Sequence, residues 1–194
     1  MSRAFSAASA TLNRDLAIPH WMLSMMGIGA FALLTALGAY VRIPLPFTPV
    51  PFTLQTLFVI AAPLALGLRR GVASQALYLA LGAVGAPVFA SAAVGALHFF
   101  GPTGGYLLGF VACQWVAASI AGRKEDASLN RLFAAALAGS LTILVLGTLW
   151  LKVLFGLGMT EALALGALPF IAGDVLKSAI AALVAFRARE LFRF

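Results

Sequence analysis

No aspartate, glutamate, lysine or arginine occurs from residue 71 to residue 122, and this charge-free run limits the folds open to the chain more than any other feature. A membrane-spanning helix needs about 20 predominantly apolar residues, so the run is long enough for two crossings. The composition agrees, because 62% of the residues are hydrophobic and 10% are charged, whereas soluble domains average about 25% charged residues. The sequence therefore predicts an integral membrane protein without a second, soluble domain.

Apolar segments bounded by charged residues, glycine or proline predict an all-α membrane protein with six transmembrane helices. The predicted segments are 21–40, 54–68, 71–85, 106–121, 132–151 and 169–187. Pro63 is expected to kink the second segment, because proline removes a backbone donor inside a helix. The chain is predicted to be one membrane domain, with a cytoplasmic tail or surface helix over 1–19, the six-helix bundle over 20–187 and a basic cytoplasmic tail over 188–194.

Two apolar connections are predicted to be ordered but not helical. Prolines at 44, 46, 49 and 51 interrupt 42–53, so no helix can run through that stretch. The connection 87–105 is also apolar and carries several glycines and prolines. Irregular backbone near a membrane is tolerated where it is buried in protein or lines an aqueous cavity, so both connections are expected to be re-entrant or ordered outer loops. A glycine-rich turn is expected around Gly156, Gly158 and Glu161.

The basic residues predict the orientation of the chain. With both termini placed in the cytoplasm, three of the 13 lysines and arginines, Arg42, Lys152 and Lys177, fall on the outer side or in the membrane. The remaining ten lie inside: Arg3, Arg14, Arg69, Arg70, Arg123, Lys124, Arg131, Arg187, Arg189 and Arg193. Cytoplasmic loops carry such an excess of basic residues, so the N- and C-termini are predicted to be cytoplasmic. The formal charge of +7 is interpreted as orientation, and nucleic acid is not expected as a partner.

Asp174 and Lys177 form the strongest candidate site. The two residues are three apart in the last apolar segment, where they share one face of a helix. Charged side chains inside a membrane are costly and usually face a bundle interior or a water-filled cavity, which favours a binding role. The alternative is an ion pair that satisfies itself and only holds helices together.

The predicted topology brings further candidate groups to the same outer end. The helix start at Gly104, Gly105 and Tyr106 offers unpaired amides and a positive dipole to an anion. Gln55 is the best placed of three glutamines in apolar segments, although an interhelical hydrogen bond is the commoner role of such a residue. The expected aromatic lining is Phe47, Phe52, Phe89, Phe99, Phe100, Tyr106 and Trp150. Such a site suits a small, partly apolar ligand with an acid group and a polar ring.

Other chemistries find no support in the sequence. Cys113 is the only cysteine, so no disulfide framework can form, and His20 and His98 are too far apart and too isolated to indicate a metal site. The 101–105 stretch, Gly-Pro-Thr-Gly-Gly, lacks the Lys-Ser/Thr ending of a phosphate-binding loop. With no nucleophile beside a base, the chain is predicted not to be an enzyme and to need no cofactor.

Several motifs resemble those of a known family. They are Ile-Pro-Leu-Pro-Phe-Thr-Pro-Val-Pro-Phe-Thr-Leu-Gln-Thr-Leu at 43–57, Leu-Arg-Arg-Gly at 68–71, Gly-Ala-Pro-Val-Phe-Ala at 85–90, Gly-Pro-Thr-Gly-Gly-Tyr-Leu-Leu-Gly-Phe at 101–110 and Gly-Asp-Val-Leu-Lys at 173–177. In this order, across about residues 20 to 187, they resemble the BioY family, the biotin-binding S components of energy-coupling factor (ECF) transporters.

The resemblance implies a bacterial inner-membrane protein that captures biotin from outside, as a transported ligand and not as a cofactor. A separate membrane T component and ABC-type ATPases would energise import. An Ala-x-x-x-Ala face on the first helix would dock the partner, and it maps onto Ala32 and Ala36; the alternative for these small residues is ordinary internal packing. The sequence leaves open whether the chain acts alone, as a homo-oligomer or only with these partners.

The resemblance also implies roles for the site residues. Asp174 would accept hydrogen bonds from the ureido N–H groups, and Lys177 would meet either the ureido oxygen or the valerate carboxylate. His98 is the one titratable residue where relatives carry a further basic side chain, so capture of the carboxylate is expected to involve backbone amides near Gly104 and Tyr106. Two other functions remain open: an S component for another small vitamin, and a structural membrane subunit.

Overall fold

The structure, a computed structural model, describes residues 19–90, 95–122 and 128–191, with side chains through residue 187. Of the predicted N-terminal tail, 1–19, all but the last residue lies outside this range, as do residues 192–194 of the predicted C-terminal tail. The described residues form seven α-helices, one short 3-10 helix and one pair of short strands.

The elements follow one another in this order: α1 His20–Tyr40, β1 Arg42–Ile43, β2 Phe52–Thr53, α2 Gln55–Leu66, α3 Leu68–Ala83, the 3-10 helix Ala96–Phe100, α4 Gly104–Ala121, α5 Leu129–Phe155, α6 Met159–Gly166 and α7 Leu168–Leu191. The predicted helical segments therefore all contain helix, with ends that shift by a few residues. The most extensive helix pairing is between α4 and α5, and α7 packs against α2 and α5.

Within the part of the chain that the structure describes, four helical segments are long and apolar enough to cross a membrane: α1, α4, α5 and the part of α7 up to Arg187. At about 1.5 Å per residue, the 27 residues of α5 extend about 40 Å, whereas the 12 residues of α2 extend about 18 Å. Gly67, with φ of +78°, joins α2 to the 16-residue α3, so Arg69 and Arg70 begin a helix instead of following one. Large apolar side chains such as Leu141, Val153 and Leu176 project outward, as expected for surfaces that meet lipid.

The proline-rich connection is an ordered hairpin, as the prolines predicted. Its two strands pair antiparallel, with Arg42 opposite Thr53 and Ile43 opposite Phe52. Side chains from its base reach the next connection, because the Tyr40 hydroxyl donates to the Pro87 carbonyl and the Arg42 guanidinium donates to the Ala90 carbonyl. These bonds hold two irregular connections side by side over the same end of the bundle.

The expected turn around Gly156, Gly158 and Glu161 is only partly a turn. Gly156 ends α5 in a left-handed conformation, with φ of +66°, but a short helix begins at Met159. The sequence 159–165, Met-Thr-Glu-Ala-Leu-Ala-Leu, consists mostly of good helix formers, and Glu161 lies in the first turn, where a carboxylate complements the helix dipole. The glycines therefore flank a helix.

The predicted docking residues Ala32 and Ala36 lie in the interior of the chain. Their side chains are 3% and 8% exposed, and they belong to the core at the side of α1 that packs against α2 and α3. The small-residue face thus allows close packing within the chain, and in this conformation it offers no open surface to a partner. The burial favours the alternative of internal packing, and docking of a partner at these two residues stays a prediction.

Candidate functional site

A cavity lies within the bundle beneath the hairpin and the connection that precedes α4. Its volume is about 590 Å³ when space open to solvent is included, and about 60 Å³ admits the centre of a water molecule, so it is a narrow slot. Every helix except α1 and α6 contributes to its wall. The lining residues are Val50, Pro51, Thr53, Gln55, Thr56, Tyr78, Phe89, Ala90, His98, Thr103, Tyr106, Leu107, Phe110, Ile143, Leu144, Phe170, Asp174 and Lys177.

Asp174 and Lys177 meet at one side of this slot, as their spacing predicted. The Lys177 Nζ lies 3.1 Å from the Asp174 Oδ1, and the two residues are 5% and 4% exposed, respectively. The ammonium also lies 4.0 Å from the centre of the Phe52 ring, a favourable position for a cation over an aromatic face. Neither charge faces lipid.

Hydroxyl groups from two other helices complete the surroundings of the pair. Lys177 Nζ donates to Thr56 Oγ1 at 2.8 Å, and Thr56 Oγ1 lies 3.5 Å from the Asp174 Oδ1. Ser140, on α5, donates to the Asp174 Oδ2 at 3.0 Å. Buried charges are tolerated when they are paired and hydrogen-bonded, and here the partners come from α2, α5 and α7. The pair is satisfied within the protein and still borders an open slot.

A second polar group in the wall is neutral. The Gln55 amide donates to the Tyr78 hydroxyl at 2.5 Å, and this hydroxyl donates to the Val88 carbonyl at 3.2 Å. Gln55 is 5% exposed and lines the cavity, so it is both an interhelical bonding partner and a wall residue. The chain of bonds connects the cavity to the irregular connection that covers it.

Phe89 and His98 stack in the cover of the cavity. Their ring centres are 4.4 Å apart, with planes 11° from parallel, and the His98 Nε2 lies 3.0 Å from the Thr103 hydroxyl. Burial lowers the pKa of His98 below its ordinary value, because removal from water disfavours the charged imidazolium. The imidazole is therefore a neutral hydrogen-bonding group near neutral pH.

The three predicted residues at the start of α4 have different positions. Tyr106 lines the cavity and donates its hydroxyl hydrogen bond to the Gly166 carbonyl at 2.6 Å. Gly104 and Gly105 are buried outside the cavity wall, and the Gly104 amide already donates to the Gly101 carbonyl at 3.0 Å. A Cβ at Gly105 would lie 2.1 Å from the Trp150 Cβ, so this glycine permits the close approach of α4 to α5.

Among the wall and supporting residues that the sequence did not single out, five are polar or aromatic residues within α-helices. Three of them, Thr56, Tyr78 and Ser140, are polar groups in apolar helices, the same signal that singles out the glutamines. The other two, Phe110 and Phe170, are aromatic residues within helices whose facing directions depend on tertiary packing. Of the seven expected aromatic residues, Phe89 and Tyr106 lie in the cavity wall and the other five do not. Two of these five, Phe47 and Phe100, are 58% and 70% exposed.

The arrangement suits reversible binding of an uncharged polar group within an aromatic slot. Asp174 and Lys177 present an acceptor and a donor next to each other, and Phe89, Tyr106 and Phe170 provide aromatic walls. Within the described ranges, no group of three or more His, Cys, Asp or Glu side chains could hold a metal ion.

Comparisons with known proteins agree on one family. A family profile described as "BioY family" matches residues 8–194. A protein of Thermotoga maritima named "Biotin transporter BioY" is 39% identical over 170 residues, which cover 88% of this chain and 98% of that protein. A "Probable biotin transporter BioY" of Pyrococcus horikoshii is 38% identical over 160 residues, covering 82% of this chain and 92% of that protein.

The fold is similar to that of a solved structure described as "Crystal structure at 2.1 A of the S-component for biotin from an ECF-type ABC transporter". The TM-score is 0.82, and the match covers 90% of this chain and 95% of the other. Because the two sequences are 24% identical, the likeness shows the fold alone.

Proposed function

The chain belongs to the BioY family, and from that membership we propose that it is a substrate-binding S component that captures biotin at the outer face of the membrane. Import into the cytoplasm would be energised by a separate T component and ABC-type ATPases. The observation that carries the proposal is the buried pair of Asp174 and Lys177, which borders an aromatic slot instead of lipid. The relatives named as biotin transporters at 38% and 39% identity support biotin as the ligand.

We place the ureido group of biotin against the ion pair. A cyclic urea presents N–H donors beside a carbonyl acceptor, and Asp174 and Lys177 present an acceptor beside a donor. Lys177 is therefore assigned to the ureido oxygen. The valerate carboxylate would extend toward the His98 and Thr103 side of the slot, near the start of α4, where the helix dipole favours an anion.

We propose that the chain crosses the bacterial inner membrane six times, with both termini in the cytoplasm. The four long apolar helices support it, and the shorter α2 and α3 would each complete a crossing with the help of adjoining connections and local thinning of the bilayer. This topology puts the hairpin and the cavity at the outer face. A docking role for Ala32 and Ala36 stays a prediction, and the burial of both side chains favours internal packing.

Binding of labelled biotin to the detergent-purified chain tests this function. Wild type should bind biotin, and Asp174→Asn and Lys177→Ala should each weaken binding more than about tenfold, because each leaves a buried polar partner unsatisfied. Glu161→Gln is the matched control for a charge change, since Glu161 is exposed on α6 and should leave binding unchanged. Unchanged affinity in both pair variants would overturn the site assignment.

Competing ligands separate the remaining alternatives. A panel of other small vitamins should not displace biotin; displacement by one of them at lower concentration would identify an S component for that vitamin. Failure of every panel member and of biotin to bind would favour a structural subunit. Biotin methyl ester should bind more weakly than biotin if the free carboxylate contacts the helix start, and equal affinity would place the carboxylate outside the site.

A further inference from the structure

Ser140 directs its hydroxyl hydrogen bond across the bundle, unlike five other serine and threonine side chains within the described helices. A hydroxyl in an apolar helix is commonly satisfied by a carbonyl three or four residues earlier in the same helix. Five residues follow this pattern: Ser24, Thr35, Ser74, Ser119 and Thr142. Ser140 instead donates across the bundle to the Asp174 Oδ2 at 3.0 Å.

This bond gives the two oxygens of the Asp174 carboxylate different partners. Oδ1 accepts from Lys177 on its own helix, and Oδ2 accepts from Ser140 on α5. Rotation about the Cβ–Cγ bond would break at least one of these hydrogen bonds, so the plane of the carboxylate is fixed. Ser140 is 3% exposed and is absent from the cavity wall, so it acts from behind the carboxylate.

We propose that Ser140 is a positioning residue that orients the Asp174 carboxylate toward the ligand. This inference rests on the proposed function, because it takes the ureido N–H groups of biotin as the donors that Asp174 receives. With the plane fixed, the remaining lone pairs of the two oxygens keep one direction relative to the slot. Without Ser140, Oδ2 is free to turn toward the Lys177 ammonium, and the geometry for the ureido group is lost.

A double-mutant cycle in the full chain tests the proposal. Biotin affinity is measured by direct titration for wild type, Ser140→Ala, Asp174→Asn and the double variant, at concentrations that saturate the weakest binder. Ser140→Ala should weaken binding about tenfold or more, as expected for a lost hydrogen bond to a charged group. In the Asp174→Asn background, the same substitution should change affinity less than about twofold, because coupled residues are not additive.

Two further variants separate positioning from general stability. Ser140→Thr keeps the hydroxyl and should restore most of the affinity. Thr142→Ala is the matched control, because Thr142 lies on the same helix and donates to its own helix at Ala138, so its loss should leave affinity unchanged.

Specific results would contradict the proposal. Wild-type affinity in Ser140→Ala overturns it, and so does an equal loss in both backgrounds, which would indicate a merely structural role. If Ser140→Ala does not yield folded protein, Ser140→Cys replaces it in the double-mutant cycle and is judged by the same criteria. Cysteine has a similar shape and a weaker hydrogen-bond donor than serine. Absence of biotin binding by wild type would remove the proposed function as well, whereas an Asp174→Asn effect with a silent Ser140→Ala would remove only this inference.

Discussion

At the scale of single residues, the ion pair combines two tasks that substitutions can separate. Asp174 and Lys177 are each almost fully buried, and hydroxyls from Thr56 and Ser140 satisfy further hydrogen bonds of the pair. Removing one partner of a buried pair leaves an uncompensated charge, whereas replacing both by neutral groups is often tolerated. Stability and binding should therefore respond differently to single and double substitution.

Lys177→Met should lower the free energy of unfolding by about 3–5 kcal/mol, because the Asp174 carboxylate loses its buried counter-charge. Adding Asp174→Asn should recover most of that loss while biotin binding stays weak. Thermal unfolding in detergent and biotin titration measure the two effects, and Lys152→Met at the partly exposed end of α5 is the control for the charge change. Recovery of binding in the double variant would show that the charges serve the fold and not the ligand.

His98 predicts a pH dependence of stability. Burial lowers its folded-state pKa, so as pH falls below the ordinary histidine pKa of about 6.5, the unfolded chain takes up a proton that the folded chain does not. Stability should therefore decrease from pH 7.5 to pH 5.5. His98→Gln should reduce this decrease in melting temperature, whereas His20→Gln, at an exposed position, should keep it; equal pH slopes in wild type and His98→Gln would contradict the prediction.

At the scale of elements, α2 contains a proline whose cost is offset by another helix. Pro63 has no N–H, so the Val59 carbonyl four residues earlier lacks its helical donor. The Gln114 amide on α4 donates to this carbonyl at 3.1 Å and to the Phe110 carbonyl of its own helix at 2.8 Å. Gln114 therefore connects α4 to the point where the backbone bonding of α2 is interrupted.

Gln114→Leu should destabilise the protein by about 1–3 kcal/mol, because the buried Val59 carbonyl is left unpaired. In a Pro63→Ala background, the same substitution should cost less, since Ala supplies the missing N–H. Melting temperatures of the four combinations give the coupling energy. Equal costs in the two backgrounds would mean that the glutamine does not substitute for the missing donor.

At the scale of the whole molecule, the proposed topology predicts which positions are accessible from each side of the membrane. Cys113 is fully buried, so wild type should not react with a membrane-impermeant thiol reagent, and single cysteines introduced elsewhere can report position. Gly158→Cys should react in intact cells, and Asn130→Cys only after the inner face is exposed. Labelling of Asn130→Cys from outside would reverse the orientation.

The apolar segments made the helices predictable, but the site depended on tertiary arrangement. Segment ends for α1 and α4 are nearly correct, since glycine, proline or charge marks both ends of each run. Asp174 and Lys177 were predictable because charge is rare inside a membrane. The burial of Ala32 depended on which neighbour covers α1, and the roles of Ser140 and Tyr78 depended on contacts with residues far along the chain, which periodicity does not encode.

The satisfied state of the ion pair has a consequence for the cost of holding two charges inside the bundle. A lone carboxylate among apolar helices would carry a large desolvation penalty. Because Lys177 and two hydroxyls already neutralise and bond Asp174, the protein reduces that penalty with its own side chains. The fold therefore does not depend on a ligand to stabilise its buried charges.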